Sequence, residues 1–192
     1  ATRATPTVSA PPACSHCPNR RWRFLGYRSS AVNKNTMVEK VRMGILGTGR
    51  VAHDFAAAGR EARNIELIAV GSRSRESADR FADKFDLPKR FAAYEELAND
   101  PEVDLVYIAT PHAMHRENSL MCLDAGKAVI CEKPFAINAS EASSVIERAR
   151  EKGLFLMEAM WSRYIPAIIK LRELLAENTL GNVQLMIAGG AY

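Results

Sequence analysis

From residue 41 onward, two hydrophobic rhythms alternate along this chain. Short apolar runs occur at residues 41–46, 65–70, 104–109, 128–131 and 154–159, and runs of this kind bounded by turn residues read as buried strands. Between them lie stretches with helical spacing. Val51, Phe55, Ala58 and Ala62 recur four, three and four positions apart, which predicts one buried helical face. Ala78, Phe81, Ala82 and Phe85 predict the same for a helix over 74–85 that Pro88 ends. Residues 90–92 are expected to pair as a short strand, 94–98 to form a helical turn, and 117–125 a helix closed by Gly126. A helix over 140–152 is predicted to begin at a serine cap and to stop at Gly153. Pro166 suits the first turn of a helix reaching Glu177, and 183–188 reads as one more strand.

Strands alternating with helices imply an α/β protein with a Rossmann-type, doubly wound parallel sheet. Its first unit runs from Val41 to Arg73: strand, turn at Gly47-Thr48-Gly49-Arg50-Val51-Ala52, helix, strand. In that context the glycine pattern is a dinucleotide-binding fingerprint. Gly47 permits the tight turn, Gly49 lets backbone approach a pyrophosphate, and Ala52 keeps the helix close to the sheet. Free N–H groups and the positive helix end then face the phosphates, making Gly47, Thr48, Gly49, Arg50 and Val51 candidate cofactor ligands.

The end of the second strand selects among cofactors. NAD-preferring folds place Asp or Glu there for the ribose hydroxyls. Here the chain reads Gly71-Ser72-Arg73-Ser74-Arg75, with no carboxylate before Glu76. Ser72 and Arg73 suit a 2′-phosphate, which a carboxylate would repel, so NADP(H) is expected over NAD(H).

Composition bounds the rest. A quarter of the 192 residues are charged and nearly half apolar, as in a soluble globular domain with a real core. No apolar run reaches the roughly 18 residues of a membrane span. The net charge of +4 is uneven: residues 1–36 hold six basic and no acidic side chains, leaving 20 basic and 22 acidic residues, or −2, on 37–192. That balance argues against a nucleic-acid partner. Cys14 and Cys17 flank His16 in a C-x-x-C, but no second ligand pair follows at zinc-finger spacing, so no metal is expected. Cys122 and Cys131 fall in apolar patterns and read as small buried hydrophobes.

Residues 1–36 are rich in Ala, Ser, Thr, Pro and Arg and show no hydrophobic period. They resemble an organellar transit peptide; a disordered extension, or upstream sequence ahead of a start at Met37, are the alternatives. The expected location is cytoplasmic, or plastid or mitochondrion if this segment directs import.

Four motifs carry a family resemblance: Gly47–Ala52, then 108–115 (IATPHAMH), Glu132-Lys133-Pro134, and 155–164 (FLMEAMWSRY). With them, the chain from about Val41 resembles the glucose-fructose oxidoreductase / inositol dehydrogenase family. Its final segment and Ser72-Arg73 are most similar to the dihydrodiol dehydrogenase and NADP-dependent xylose dehydrogenase branch. The resemblance implies a Rossmann domain over 37–164, with 165–192 as only the start of a C-terminal α/β open-sheet domain. It implies hydride transfer between a nicotinamide and a sugar, cyclitol or diol, and a homo-oligomer for the full-length protein. Lys133 becomes the catalytic candidate, assisting proton transfer beside the nicotinamide, with Glu132 next to it. Thr110, Pro111, His112 and His115 would line the cofactor, His115 reaching the nicotinamide ribose; Trp161 and Arg163 would sit at the cleft. From the residues alone, each histidine could equally be an exposed helix-start side chain. Glu158 is a candidate substrate-side group, whereas His53 reads as solvated. The family's second catalytic motif, Asp followed four positions later by His or Tyr, is expected beyond the strand that begins at Val183. Whether this chain is itself an enzyme therefore stays open, a non-catalytic NADP(H)-binding module being the alternative.

Overall fold

The computed structural model describes residues 40–187 and 189; the expectations for residues 1–36, Cys14 and Cys17 included, lie outside them. Among the described residues six strands form one sheet: β1 (Val41–Leu46), β2 (Ile65–Gly71), β3 (Lys89–Phe91), β4 (Leu105–Ile108), β5 (Ala128–Cys131) and β6 (Leu156–Glu158). Their order is β3-β2-β1-β4-β5-β6, and every pairing is parallel. The order reverses direction between β1 and β4, so the connecting chain leaves their C-terminal ends toward opposite sides. A crevice at that switch point is where such sheets take ligands.

Helices α1 (Arg50–Gly59), α2 (Arg75–Phe85), α3 (Tyr94–Ala98), α4 (His115–Asp124), α5 (Ala139–Lys152) and α6 (Pro166–Ala176) join or follow the strands. Two apolar clusters divide between the faces of the sheet. One packs Met43, Ile45, Val70 and Tyr107 against α1 and α2. The other packs Leu46, Val106, Ile108 and Val129 against Leu97, Leu123 and Val145 of α3, α4 and α5. Covering both faces explains why β4 and β5 are apolar runs rather than alternating ones.

The face expected for α2 is the buried one: Ala78, Phe81, Ala82 and Phe85 all lie inside. For α1 the face is rotated. Ala52, Ala56 and Gly59 are buried, while Val51 and Ala58 are exposed and Phe55 is half-buried. Small residues win because the helix lies tight against β2: a Cβ on Gly59 would sit 3.0 Å from Leu67 Cδ1. Helix α5 starts earlier than expected, capped by Asn138, whose Oδ1 accepts the Glu141 N–H at 2.9 Å. Glu141 Oε2 in turn accepts the Ile137 N–H at 3.2 Å, a reciprocal capping arrangement that outcompetes the cap expected at Ser140. Helix α4 also starts early, at His115, after a 3₁₀ turn at His112–Met114.

The expected strand at 183–188 is absent over its described residues. Residues 183–187 are unpaired, with Val183, Leu185 and Ile187 exposed, and Ala188 is outside the described set. Apolar alternation makes a strand only where a neighbour supplies N–H and C=O partners, and among the described residues β6 pairs with β5 alone. No helix among the described residues is long and apolar enough to cross a membrane.

Candidate functional site

The loops at the C-terminal ends of β1, β2 and β4 enclose a cavity of about 700 Å³. The β1 end contributes Gly47 through Val51, the β2 end Ser72, Arg73, Ser74 and Ser77, and the β4 end Ala109, Thr110 and Pro111. Nine of the predicted site residues therefore meet in one place: Gly47, Thr48, Gly49, Arg50, Val51, Ser72, Arg73, Thr110 and Pro111.

The two turn glycines serve different needs. Gly47 has φ +99°, and a Cβ there would lie 2.7 Å from the Ala109 carbonyl oxygen, so both backbone conformation and packing require glycine. Gly49 has φ −77°, and a Cβ there would meet nothing within 4 Å. Its missing side chain leaves open groove instead of relieving a clash. Helix α1 begins immediately after Gly49 with no side-chain cap and no acidic residue in its first turn. Its first N–H groups thus stay available to an anion in the cavity. An open groove at an uncapped helix start, in a cavity of dinucleotide dimensions, fits a bound pyrophosphate.

At the β2 end, Ser72 is buried and accepts the Ser74 N–H at 3.3 Å, leaving its hydroxyl proton to donate. Arg73 lies against Tyr94, a cavity residue that the sequence pattern assigns only to a helical turn. Burial raises the Tyr94 pKa, and the Arg73 guanidinium opposes that rise. Beyond this pair a second hollow, about 500 Å³, extends past Ala92, Ala93 and Met114.

The remaining predicted residues line neither cavity. His115, expected to reach the nicotinamide ribose, is fully buried. Its Nε2 lies 2.9 Å from the Thr110 carbonyl oxygen and its Nδ1 2.8 Å from that of Pro134. A neutral imidazole donates from one nitrogen at a time, so the ring serves either carbonyl, or both when protonated. It is a strut between the β4 loop and the β5 loop. Asn118 supports the same loop, donating to Thr110 Oγ1 at 2.9 Å. Helical spacing hides this inward polar face, because α4 has no clear apolar stripe.

The β5 loop carries Glu132, Lys133 and a cis Lys133–Pro134 peptide. Tyr107 Oη donates to Glu132 Oε1 at 2.5 Å, and Glu132 Oε2 accepts the Lys133 N–H at 3.1 Å. Burial, followed by this carboxylate, pushes the Tyr107 hydroxyl well above the usual phenol range, so it is a fixed donor. Lys133 itself is exposed. Glu158 is engaged locally, its Oε1 accepting the Phe135 N–H at 3.1 Å. His112 is exposed, as are Trp161 and Arg163 in the 3₁₀ turn after β6. His53 is not simply solvated: its ring packs on Phe81 at 4.7 Å and Phe85 at 5.4 Å. Among the described residues no group of three or more His, Cys, Asp or Glu could hold a metal.

A parallel sheet with a glycine turn, an uncapped helix start and a cavity at the switch point defines a dinucleotide-binding Rossmann protein. The chain belongs to the GFO/IDH/MocA group, described as an oxidoreductase family with an NAD-binding Rossmann fold, whose family model matches residues 41–160. Among its relatives, mouse trans-1,2-dihydrobenzene-1,2-diol dehydrogenase is 44% identical over 146 residues, covering 75% of this chain and 44% of the mouse protein. The human protein of the same name is also 44% identical, with the same coverage. The chain thus spans less than half the length of these relatives. Among solved structures, an NAD-binding oxidoreductase from Klebsiella pneumoniae matches with TM-score 0.71 and 29% identity over 74% of this chain and 40% of that one. A mutant 3-ketoreductase from Actinomadura kijaniata, in complex with TDP-benzene and NADP, matches with TM-score 0.69 and 29% identity, covering 76% and 45%.

Proposed function

We propose that this chain is the NADP(H)-binding part of an oxidoreductase acting on the hydroxyl or carbonyl carbon of a diol, sugar or cyclitol. The observation that carries the cofactor choice is the β2 end. No carboxylate stands there, and Ser72 and Arg73 line the cavity instead. A serine hydroxyl and a planar guanidinium fork together suit a phosphate monoester. Two kinds of similar protein support the reading: the diol dehydrogenases by their names, and the 3-ketoreductase by its bound NADP.

NADP(H), when bound, supplies the hydride acceptor or donor. The chain's own residues position it and handle the proton. Gly47–Val51 and the start of α1 take the pyrophosphate, and Ser72 and Arg73 the 2′-phosphate. Tyr107 fixes Glu132, and Glu132 fixes the backbone of Lys133, which leaves the Lys133 ammonium free to swing at the β5 end. In oxidation, the Lys133 amine accepts the proton of the substrate hydroxyl as its carbon loses hydride; in reduction, the ammonium returns it.

The test is a pair of titrations. NADPH should bind the wild type at least about tenfold tighter than NADH, the scale of one charge-assisted contact, and Arg73→Ala should erase most of that difference. Equal wild-type affinities would overturn the NADP assignment. NADPH formation is then followed with trans-dihydrodiols, aldoses and inositols. Turnover that Lys133→Ala abolishes without loss of NADPH binding supports the oxidoreductase reading, whereas NADPH binding with no turnover on any of these favours a non-catalytic binding module.

A further inference from the structure

Lys133 stands in a loop whose backbone is held on both flanks. Before the lysine, the Glu132 N–H donates to the Ile108 carbonyl at 3.0 Å, and Tyr107 of β4 holds the Glu132 side chain. Glu132 Oε2 accepts the Lys133 N–H itself. Two residues after the lysine, the Phe135 N–H donates to Glu158 Oε1 at 3.1 Å. Between these points the Pro134 carbonyl oxygen lies 2.8 Å from His115 Nδ1. Each N–H in residues 132–135, Pro134 having none, therefore has a partner, and β6 supplies the last.

Glu158 is well rooted for this task. It is the final residue of β6, directly opposite Cys131 at the end of β5. The next residue, Ala159, donates its N–H to the Cys131 carbonyl at 2.8 Å, so the pairing of the two strands continues past the base of Glu158. A carboxylate is a stronger acceptor for an N–H than a neutral group. The side chain is nonetheless exposed, and a hydrogen bond made in exchange for one to water adds little to overall stability. Its local consequence is larger. Without it, the segment after Lys133 is held by the His115 contact with Pro134 and by a long contact of 3.9 Å from Cys131 Sγ to the Phe135 carbonyl. A lysine has a long flexible stem, so the reach of its ammonium depends on where its Cα is held. A displacement of about 1 Å in a reacting group can cost about a hundredfold in rate.

We propose that Glu158 is a positioning residue for Lys133, acting through the Phe135 N–H to hold the lysine Cα beside the bound nicotinamide. The proposal rests on the proton-transfer role given to Lys133 above. It assigns the Glu158 carboxylate to the backbone of the β5 loop, with no substrate contact required.

Lys133 in the full chain is labelled with trinitrobenzenesulfonate, with and without saturating NADPH, and quantified by peptide mass spectrometry. In the wild type NADPH should slow the labelling at least about tenfold, the mass-action expectation for a group covered by a ligand well above its Kd. Glu158→Ala should lose most of that protection while NADPH affinity and the urea midpoint stay unchanged. Glu158→Gln keeps an oxygen acceptor in the same place and should keep the protection. Full protection in Glu158→Ala overturns the inference and leaves the Lys133 reading standing. Loss of NADPH affinity and stability together with protection also overturns it, since Glu158 is then a purely structural residue. So does a Glu158→Gln variant as unprotected as Glu158→Ala. Wild-type Lys133 that NADPH does not protect overturns the Lys133 reading itself, and the inference with it.

Discussion

Tyr107 and Glu132 are joined by a 2.5 Å hydrogen bond across two neighbouring strands. The ring of Tyr107 stacks on Phe55 of α1 at 3.6 Å and 11° between planes, so the helix behind the glycine turn helps fix the loop that carries Lys133. Tyr107→Phe keeps the stack and removes the donor. It should lower stability by about 1–2 kcal/mol, the usual cost of stranding a part-buried acceptor, as measured by urea denaturation. An unchanged midpoint would mean that water replaces the bond fully.

The two turn glycines should separate in a paired experiment. Gly47→Ala forces a Cβ against the Ala109 carbonyl at a positive φ and should cost about 2 kcal/mol or more of stability. Gly49→Ala meets no protein atom and should change stability by under about 0.5 kcal/mol. It places a methyl in the groove, so NADPH affinity should fall at least about tenfold in a fluorescence titration, as lost backbone approach to the pyrophosphate predicts. Equal effects of the two substitutions on stability would contradict this division.

His115 should act through structure. His115→Leu removes the strut between the Thr110 and Pro134 carbonyls and strands at least the buried one, at about 2 kcal/mol. NADPH affinity should also drop, because Thr110 and Pro111 line the cavity. Loss of affinity with no loss of stability would instead indicate direct contact between the ring and the cofactor.

Asp104 supplies the clearest acid dependence. Arg42 donates to it from Nε, Nη2 and the backbone N–H at 2.8–3.0 Å, and the Arg42 side chain is the main cause holding its carboxyl below the usual range, against an opposing effect of burial. A lowered folded pKa stabilises above the unfolded value of about 3.9 and is lost as the pH falls through the folded value. Both side chains are more than 40% exposed, which limits the contribution to under about 1 kcal/mol. Asp104→Asn should therefore be slightly less stable at pH 7, and the gap should close on acidification below about pH 4.

Thiol labelling offers a check on the core. Burial pushes the thiols of Cys122 and Cys131 up to about 12, and both are fully enclosed. At about pH 8, below even an ordinary thiol's pKa, neither should react with a maleimide in the folded protein. Both should react on unfolding, as read by peptide mass spectrometry.

Much of the fold was legible because it depends on neighbours in the chain. The apolar runs of β1, β2, β4 and β5, the Gly47–Ala52 turn and the inner face of α2 all follow from spacing and turn chemistry. So did the missing carboxylate after β2 and the meeting of Ser72, Arg73 and Thr110 at one cavity, once a parallel sheet was assumed. What spacing could not settle was anything decided across elements. The tight seat of α1 on β2 chose Ala52, Ala56 and Gly59 over Val51 and Ala58. Tyr94, Ser77 and Asn118 reached the site only because three crossovers brought their helices to the same edge of the sheet. For His115 local spacing leaves a cofactor ligand and an exposed helix-start side chain equally open, and it is two carbonyls from separate loops that enclose the ring. Among the described residues the apolar alternation at 183–187 has no neighbouring strand, and a strand is a relation between two segments. Local rules determined which elements this chain forms; packing and hydrogen bonding between them decided which side chains face the cavity.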